Sequence, residues 1–294
     1  MGRGDDRPDG ARVTTDMIGS ACEALPVTWD ERDTMLYALG VGAGLGDPRR
    51  DLAFTTENSG GVTLQAVPSM VCVLTSRARP PALTLLDSGR FLHAEQRIDL
   101  HRPLPPNGQG VVRNEVEQVL DKGAGSGAIL VNRATLHDKA GELLAEVRSS
   151  IFVRGAGGFD GQRGEEAQWT LPPGAPDARI VHHTREEQAL LYRLSGDRHR
   201  LHSDPDFASH WGFDRPILHG LATYGFACRA LVEGFADGNP TRLTGIDGRF
   251  RKPVYPGDTL ITEIWRRSDG AALFHTLDGA GDPVLERGRA TLAN

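Results

Sequence analysis

The sequence lacks the features that mark several common protein classes. Only three of its 294 residues are cysteine, Cys22, Cys72 and Cys228, and none sits in a CxxC or other metal-ligand spacing. A disulfide framework and a thiolate metal centre are therefore excluded, and the usage fits a reducing compartment, so a cytoplasmic protein is expected. No apolar run reaches the roughly 18 residues of a membrane span, and the N-terminus MGRGDDRPDGARVTTD has no apolar stretch of the secretory kind. Dense Lys/Arg runs are missing and the net charge is −6, which argues against nucleic acid and anionic membranes as partners. The Gly-rich segment GAGLG after Val41 does not lie between a strand and a helix, so it is no dinucleotide fingerprint and no such cofactor is called for.

What is present is ordinary core-forming material, 39% hydrophobic and 24% charged residues, which excludes a fibrous or wholly disordered chain. Residues 1–15 carry almost nothing apolar and are expected to form a flexible arm. Beyond them the chain reads as a duplication. LYALGVGAGLGDP from Leu36 matches LYRLSGDRHRLHSDP from Leu191 at Leu-Tyr-x-Leu and Asp-Pro, and PLPPNG from Pro103 matches PVYPGD from Pro253 at a similar offset. A third pair, FLHAEQ from Phe91 and ILHGLA from Ile217, stands at a clearly shorter offset. The Gly- and Pro-rich stretch over residues 155–178 reads as a linker, dividing a first half at 16–154 from a second at 179–294.

In the second half, TREEQALLYRL has Thr184 as a helix cap with Glu187 three positions on. SDPDFASHWG gives another turn or two with Pro205 near its start. HGLATYGFACRALVEGFAD places Leu221, Tyr224, Ala227, Cys228, Leu231, Val232 and Phe235 at three- and four-residue steps, which predicts a long helix. Extended segments separated by Gly/Asp turns follow to the C-terminus, and the first half repeats the order. The predicted class is α+β: two tandem copies of an antiparallel sheet wrapped around a long helix.

Chemistry concentrates in one loop. Ser195, Gly196, Asp197, His199, His202 and Asp204 follow closely, whereas the first copy has only Gly40, Val41, Gly42, Ala43 and Gly44 at the equivalent place. A structural role shared by both copies would not need polar groups in one alone. A carboxylate and an imidazole a few residues apart can address one water, one taking its proton while the other delivers a proton elsewhere. Gly220 opens the long helix, where unpaired N–H groups and the helix dipole can stabilise a developing oxyanion. His219 beside it reads chiefly as a packing residue at the helix start. No metal is expected, because His182, His183, His199 and His202 have no supporting ligand pattern.

YRLSGDRHRLHSDPDFAS resembles the hydratase motif of the MaoC-type, R-specific enoyl-CoA hydratases, with Tyr192, Ser195, Gly196, Asp197, His202 and Ala208 at matching positions. PILHGLATYG resembles that family's oxyanion-hole helix start and RFRKPVYPGDTL the strand and turn after it. LYALGVGAG, LHAEQ, HRPLPPNG and GGFDG of the first half are similar to the non-catalytic half of the two-domain members. The resemblance implies a double hot-dog fold, no cofactor, and hydration of a 2-enoyl thioester, carried by CoA or acyl carrier protein, to a (3R)-hydroxyacyl product, while exposed sheet edges favour a homodimer. It implies that Gly220 binds the carbonyl, that His202 acts as base toward water, and that Asp197 relays a proton to C2. His199, Ser195, Gly196 and Tyr192 are then expected to position water or substrate, and Arg249, Arg251 and Lys252 to meet CoA phosphates. The first half would accommodate the acyl chain. Two positions depart from the motif: His199 stands for its Asn and Arg200 for its Pro. These leave open a second reading, a catalytically weak acyl-thioester-binding subunit that partners another enzyme.

Overall fold

The computed structural model describes residues 12–47, 49–86, 90–164 and 168–293. Residues 1–11 of the expected arm lie outside them. From residue 12 the chain is docked rather than loose: Val13 is 4% exposed and packs with Leu86, Val116 and Val153.

The strands are β1 (Leu25–Trp29), β2 (Phe91–Leu100), β3 (Gly108–Asp121), β4 (Gly127–Asp138) and β5 (Leu143–Arg154), then β6 (Ala178–His183), β7 (Leu243–Phe250), β8 (Thr259–Arg266), β9 (Ala271–Leu277) and β10 (Pro283–Leu292). They form one ten-stranded sheet in the order β1-β3-β4-β5-β2-β7-β10-β9-β8-β6. Every pairing within it is antiparallel. The order reads the same from either end once β1 to β5 are matched with β6 to β10, the signature of duplication. The copies fuse at β2 and β7, where Ile98 faces Ile246, both buried. Alternation makes these strands: along β4 every second residue from Ala128 to Leu136 is buried.

The helices are α1 (Glu31–Gly40), α2 (Leu52–Thr55), α3 (Met70–Thr75), α4 (Pro81–Thr84), α5 (Gln188–Tyr192), α6 (Pro205–His210) and α7 (Gly220–Gly234). The double hot-dog expectation holds, but the two central helices differ. α7 runs 15 residues and is buried nearly all round, with Gly225 packed so closely that a Cβ there would lie 2.3 Å from Val41. Its counterpart α3 runs only six residues. β-Branched Val71, Val73 and Thr75 followed by Pro80-Pro81 shorten it. Thr184 does not cap α5. Its hydroxyl donates to Asp258 O and accepts from Gly257 N, and the helix begins only at Gln188.

The two Leu-Tyr-x-Leu segments meet across the pseudo-dyad, with Tyr37 and Tyr192 ring centroids 6.0 Å apart and Gln188 Nε2 donating to Leu39 O and Gly40 O. The FLHAEQ and ILHGLA segments are not equivalent: the first lies in β2 and the second leads into α7. A buried ion pair also joins the halves. Arg229 of α7 donates to Asp51 at 2.8 Å, both side chains 6% exposed, and Asp51 also accepts from Gly44 N. Removing one member strands the other charge in the interior. Asp51→Ala is expected to lower stability by about 3–5 kcal/mol in denaturant unfolding, and Asp51→Leu with Arg229→Met by far less. Equal losses for the single and double variants would contradict this role.

Candidate active site

The two halves enclose a cavity of about 680 Å³. The first half supplies Cys72 and Thr75 of the short α3 and inward residues of β2 to β5, among them Phe91, Asn132, Val147 and Ile151. The second supplies Asp197, His199, His202, Gly220 and the segment from Arg249 to Val254. The shortening of α3 leaves open space that α7 fills in its own half.

Asp197 is presented by a turn that only glycine allows, since Gly196 has φ 145°. The Asp197 carboxylate accepts the His199 N–H at 3.1 Å. His199 in turn accepts the Leu201 N–H on Nδ1 at 3.3 Å, capping the short 3-10 turn Arg200–His202 that carries His202. His202 Nδ1 faces Ile217 O at 2.9 Å. A carbonyl only accepts, so Nδ1 carries the proton and Nε2 keeps a lone pair while the ring is neutral. By the same reasoning His219 donates Nε2–H to Asp197 O at 3.1 Å. Its ring stacks on His202 with centroids 3.7 Å apart and planes 24° off parallel.

One ligating atom from each of Asp197, His202 and His219 lies within 4.8 Å of the others. Two imidazoles and a carboxylate suit a transition metal in composition. The geometry does not suit one, because nearly parallel stacked rings cannot both direct an in-plane lone pair at a single ion. The electrostatics suit proton transfer. Burial pushes His202 below its ordinary 6.5 and His219 to about 3, so both rings are neutral near pH 7. Burial alone would raise Asp197, but the positive charge that His219 and His202 take up in acid, with the His199 N–H, outweighs it and holds the carboxyl below its usual range.

Gly220 opens α7 behind His219, whose extended backbone at ψ 136° forms the N-cap. The N–H groups of Ala222 and Thr223 turn back to His219 O. The Gly220 N–H meets no acceptor among the described residues and lies in the cavity wall, at the positive end of a 15-residue helix dipole. A Cβ at 220 would rest in ordinary contact with Phe250, 3.4 Å away.

The motif residues thus divide into two groups. Asp197, His199, His202 and Gly220 converge on the cavity, and Arg249, Arg251 and Lys252 line it as well. Arg249 pairs with Glu95 at 2.8 Å and Lys252 with Asp282 at 2.6 Å. Tyr192, Ser195 and Gly196 do not reach the cavity lining. Tyr192 is 1% exposed and packs its ring 4.8 Å from that of His219. Ser195 turns into a small pocket beside Tyr37 and Val73. Their expected contact with water or substrate is replaced by support from behind: they shape the turn that presents Asp197. Arg200 points to the surface, onto Asp204 and over the Phe207 ring.

Sequence reasoning undervalued His219, although it adjoins Gly220. It passed over His93 of β2, Arg79 and Arg154, all three in the cavity lining. Burial takes His93 down to about 4 while the Asp197 charge pulls the other way, so a residue of the first half senses the carboxylate of the second. No spacing in the chain announces a contact made across the pseudo-dyad.

Comparison with known proteins agrees with this anatomy. Residues 170–281 match the MaoC like domain, and residues 27–155 match the MFE-2 hydratase 2 N-terminal domain. The chain is 48% identical over 280 residues to 3-hydroxyacyl-thioester dehydratase Y of Mycobacterium tuberculosis, covering 94% of this chain and 95% of that protein. It is 37% identical to the peroxisomal enoyl-CoA hydratase 2 of Arabidopsis thaliana, with 81% and 82% covered. The solved MaoC-like dehydratase from Phytophthora capsici superposes with a TM-score of 0.84 at 30% identity, over 96% of this chain and 98% of that one. The chain belongs to the MaoC-like dehydratase family, in its two-domain hydratase 2 form.

Proposed function

We propose that this protein adds water to trans-2-enoyl-CoA to give (3R)-3-hydroxyacyl-CoA, or runs the reverse dehydration. The observation that carries the reading is the convergence of Asp197, His202 and the unpaired Gly220 N–H on one cavity. With the thioester carbonyl on the Gly220 amide, negative charge developing on that oxygen meets a fixed donor and the helix dipole. Water held by the Asp197 carboxylate and His202 Nε2 adds its oxygen to C3. The proton it loses passes to the His202–Asp197 pair and returns from Asp197 to C2 on the same face, so the pair ends as it began. Because the protein supplies both proton transfer and oxyanion stabilisation, the reaction calls for no resident cofactor.

The cavity lining contains five basic side chains, Arg79, Arg154, Arg249, Arg251 and Lys252, against the acidic Glu95 and Asp197. In a chain of net charge −6 this local excess supports CoA, with its phosphates, as the carrier. The unpaired edges of β1 and β6 at the ends of the sheet support self-association as a homodimer. Three free cysteines support a reducing, cytoplasmic setting. Among the described residues no helix is long and apolar enough to cross a membrane.

The direct test is loss of enoyl absorbance on adding protein to enoyl-CoA substrates of graded length. Asp197→Asn and His202→Gln are each expected to lower kcat by about 10²–10⁴-fold while keeping the native circular dichroism; turnover near wild type in either variant would defeat the assignment. Because His202 must be unprotonated and its pKa lies below the ordinary 6.5, kcat/KM should stay level down through that pH and fall only in more acid solution. An acid limb at or above 6.5 would contradict a neutral, buried base. Finally, Arg79→Ala and Arg251→Ala should each reduce kcat/KM for the CoA thioester by roughly three- to tenfold, yet leave that for the N-acetylcysteamine thioester of the same acyl group unchanged.

A further inference from the structure

The acyl-facing wall contributed by the first half is not uniformly apolar. Asn132 of β4 is 4% exposed, lies in the cavity lining, and its carboxamide makes no hydrogen bond to any described residue. Its cross-strand neighbour on β5 is Ser149, also in the lining, whose hydroxyl donates to Gln96 Oε1 of β2 at 2.7 Å. Asn132, Ser149 and Gln96 thus form a polar row across three strands. On the same face Leu130 and Ala134 flank Asn132, and Val147 and Ile151 flank Ser149, so the row is a polar band between apolar ones. Two further lining residues carry a polar atom without a protein partner, Asn114 at Oδ1 and His93 at Nε2. Asn114 spends its Nδ2 on Ala78 O at 2.8 Å.

A wall built to hold a plain alkyl chain would carry Leu or Val at position 132, where β-propensity and burial both favour them over Asn. Solvent in the cavity can serve this carboxamide in the free protein, but an alkyl chain pressed against it would displace that solvent and leave the amide unpaired in the complex. A hydroxyl group on the chain reverses the balance, since it donates to the carbonyl end of the amide or accepts from the other.

Resting on the hydratase reading, we infer that the preferred acyl group carries a hydroxyl substituent beyond the reacting carbons, received by Asn132 and its polar row, and is not an unsubstituted alkyl chain. Discrimination of this kind is strong because the penalty falls on the wrong ligand: the site's own polar group goes unsatisfied when the hydroxyl is missing.

The test compares trans-2-decenoyl-CoA with the same chain bearing one hydroxyl at each carbon beyond C4 in turn, on wild type and on Asn132→Leu. kcat/KM is measured for turnover, and Kd by calorimetry for the corresponding saturated acyl-CoAs. At least one hydroxylated chain is expected to be favoured by about tenfold or more in wild type. Asn132→Leu should bring that ratio to about one or below. Each ratio is taken within one preparation, so partial loss of folded protein cancels. A wild type that favours no hydroxylated chain, or an Asn132→Leu protein that keeps the preference, overturns the inference. If wild type turns over neither kind of substrate, the hydratase reading fails, while the Kd ratio still decides this one.

Discussion

A single imidazole holds the reacting groups of this site in register. The edge of His219 donates to the backbone oxygen of Asp197, and its face lies against His202. The two residues it joins come from opposite ends of an irregular loop with little regular structure of its own to fix them. Burial keeps the His219 ring neutral, so no cation stands between the His202 ring and the Asp197 carboxylate. His219 sits where that loop meets the N-terminus of α7, so Asp197, His202 and the Gly220 N–H are anchored to one rigid element. Tyr192, packed against the same ring, extends that support to the pseudo-dyad.

Duplication explains how the fold makes room for substrate. Two identical halves would each fill their concave sheet with a long helix. Here α7 fills the second half, with Gly225 allowing contact against Val41, while six-residue α3 leaves the first half partly open. The halves cannot drift apart, because β2 and β7 are neighbours in one sheet and because Arg229 reaches from α7 to Asp51. One copy carries the cluster of Asp197, His202 and His219, and the other leaves the space beside it. The polar row around Asn132 breaks the otherwise apolar lining of that space.

How much of this can be read in the chain follows from what is local. The Ser-Gly-Asp turn, the long helix and the duplicated Leu-Tyr-x-Leu segments declare themselves, because each depends on neighbours a few residues away. The paired tyrosines even foretell the dyad, although only coordinates show that Tyr37 and Tyr192 face one another. Features made by contact between halves stay silent. His93, Arg79 and Asn132 look like ordinary strand or loop residues until β2 is laid beside β7 and the first sheet curves around a shortened helix. Thr184 misleads in the opposite sense: its spacing to Glu187 suits a capping box, but the turn at Gly257 and Asp258 offers its hydroxyl better partners.

The two departures from the family motif become intelligible on the same grounds. An Asn at position 199 would be valued in part for its short side-chain acceptor, which takes an N–H two residues on and starts a turn. His199 does this with Nδ1, accepting from Leu201, while its own backbone N–H, which any residue supplies, makes the bond to the Asp197 carboxylate. The substitution therefore preserves the turn that delivers His202 and changes only what faces the cavity, an imidazole edge in place of a carboxamide. Arg200 replaces Pro at the first residue of the 3-10 turn, where proline helps through its fixed φ and fills no space in the site. Its long side chain leaves toward solvent, onto Asp204 and Phe207, and tightens α6 against the loop. Neither change alters the way Asp197, His202 and Gly220 converge on the cavity, so the departures argue for a retuned hydratase and against a binding subunit that has lost the reaction.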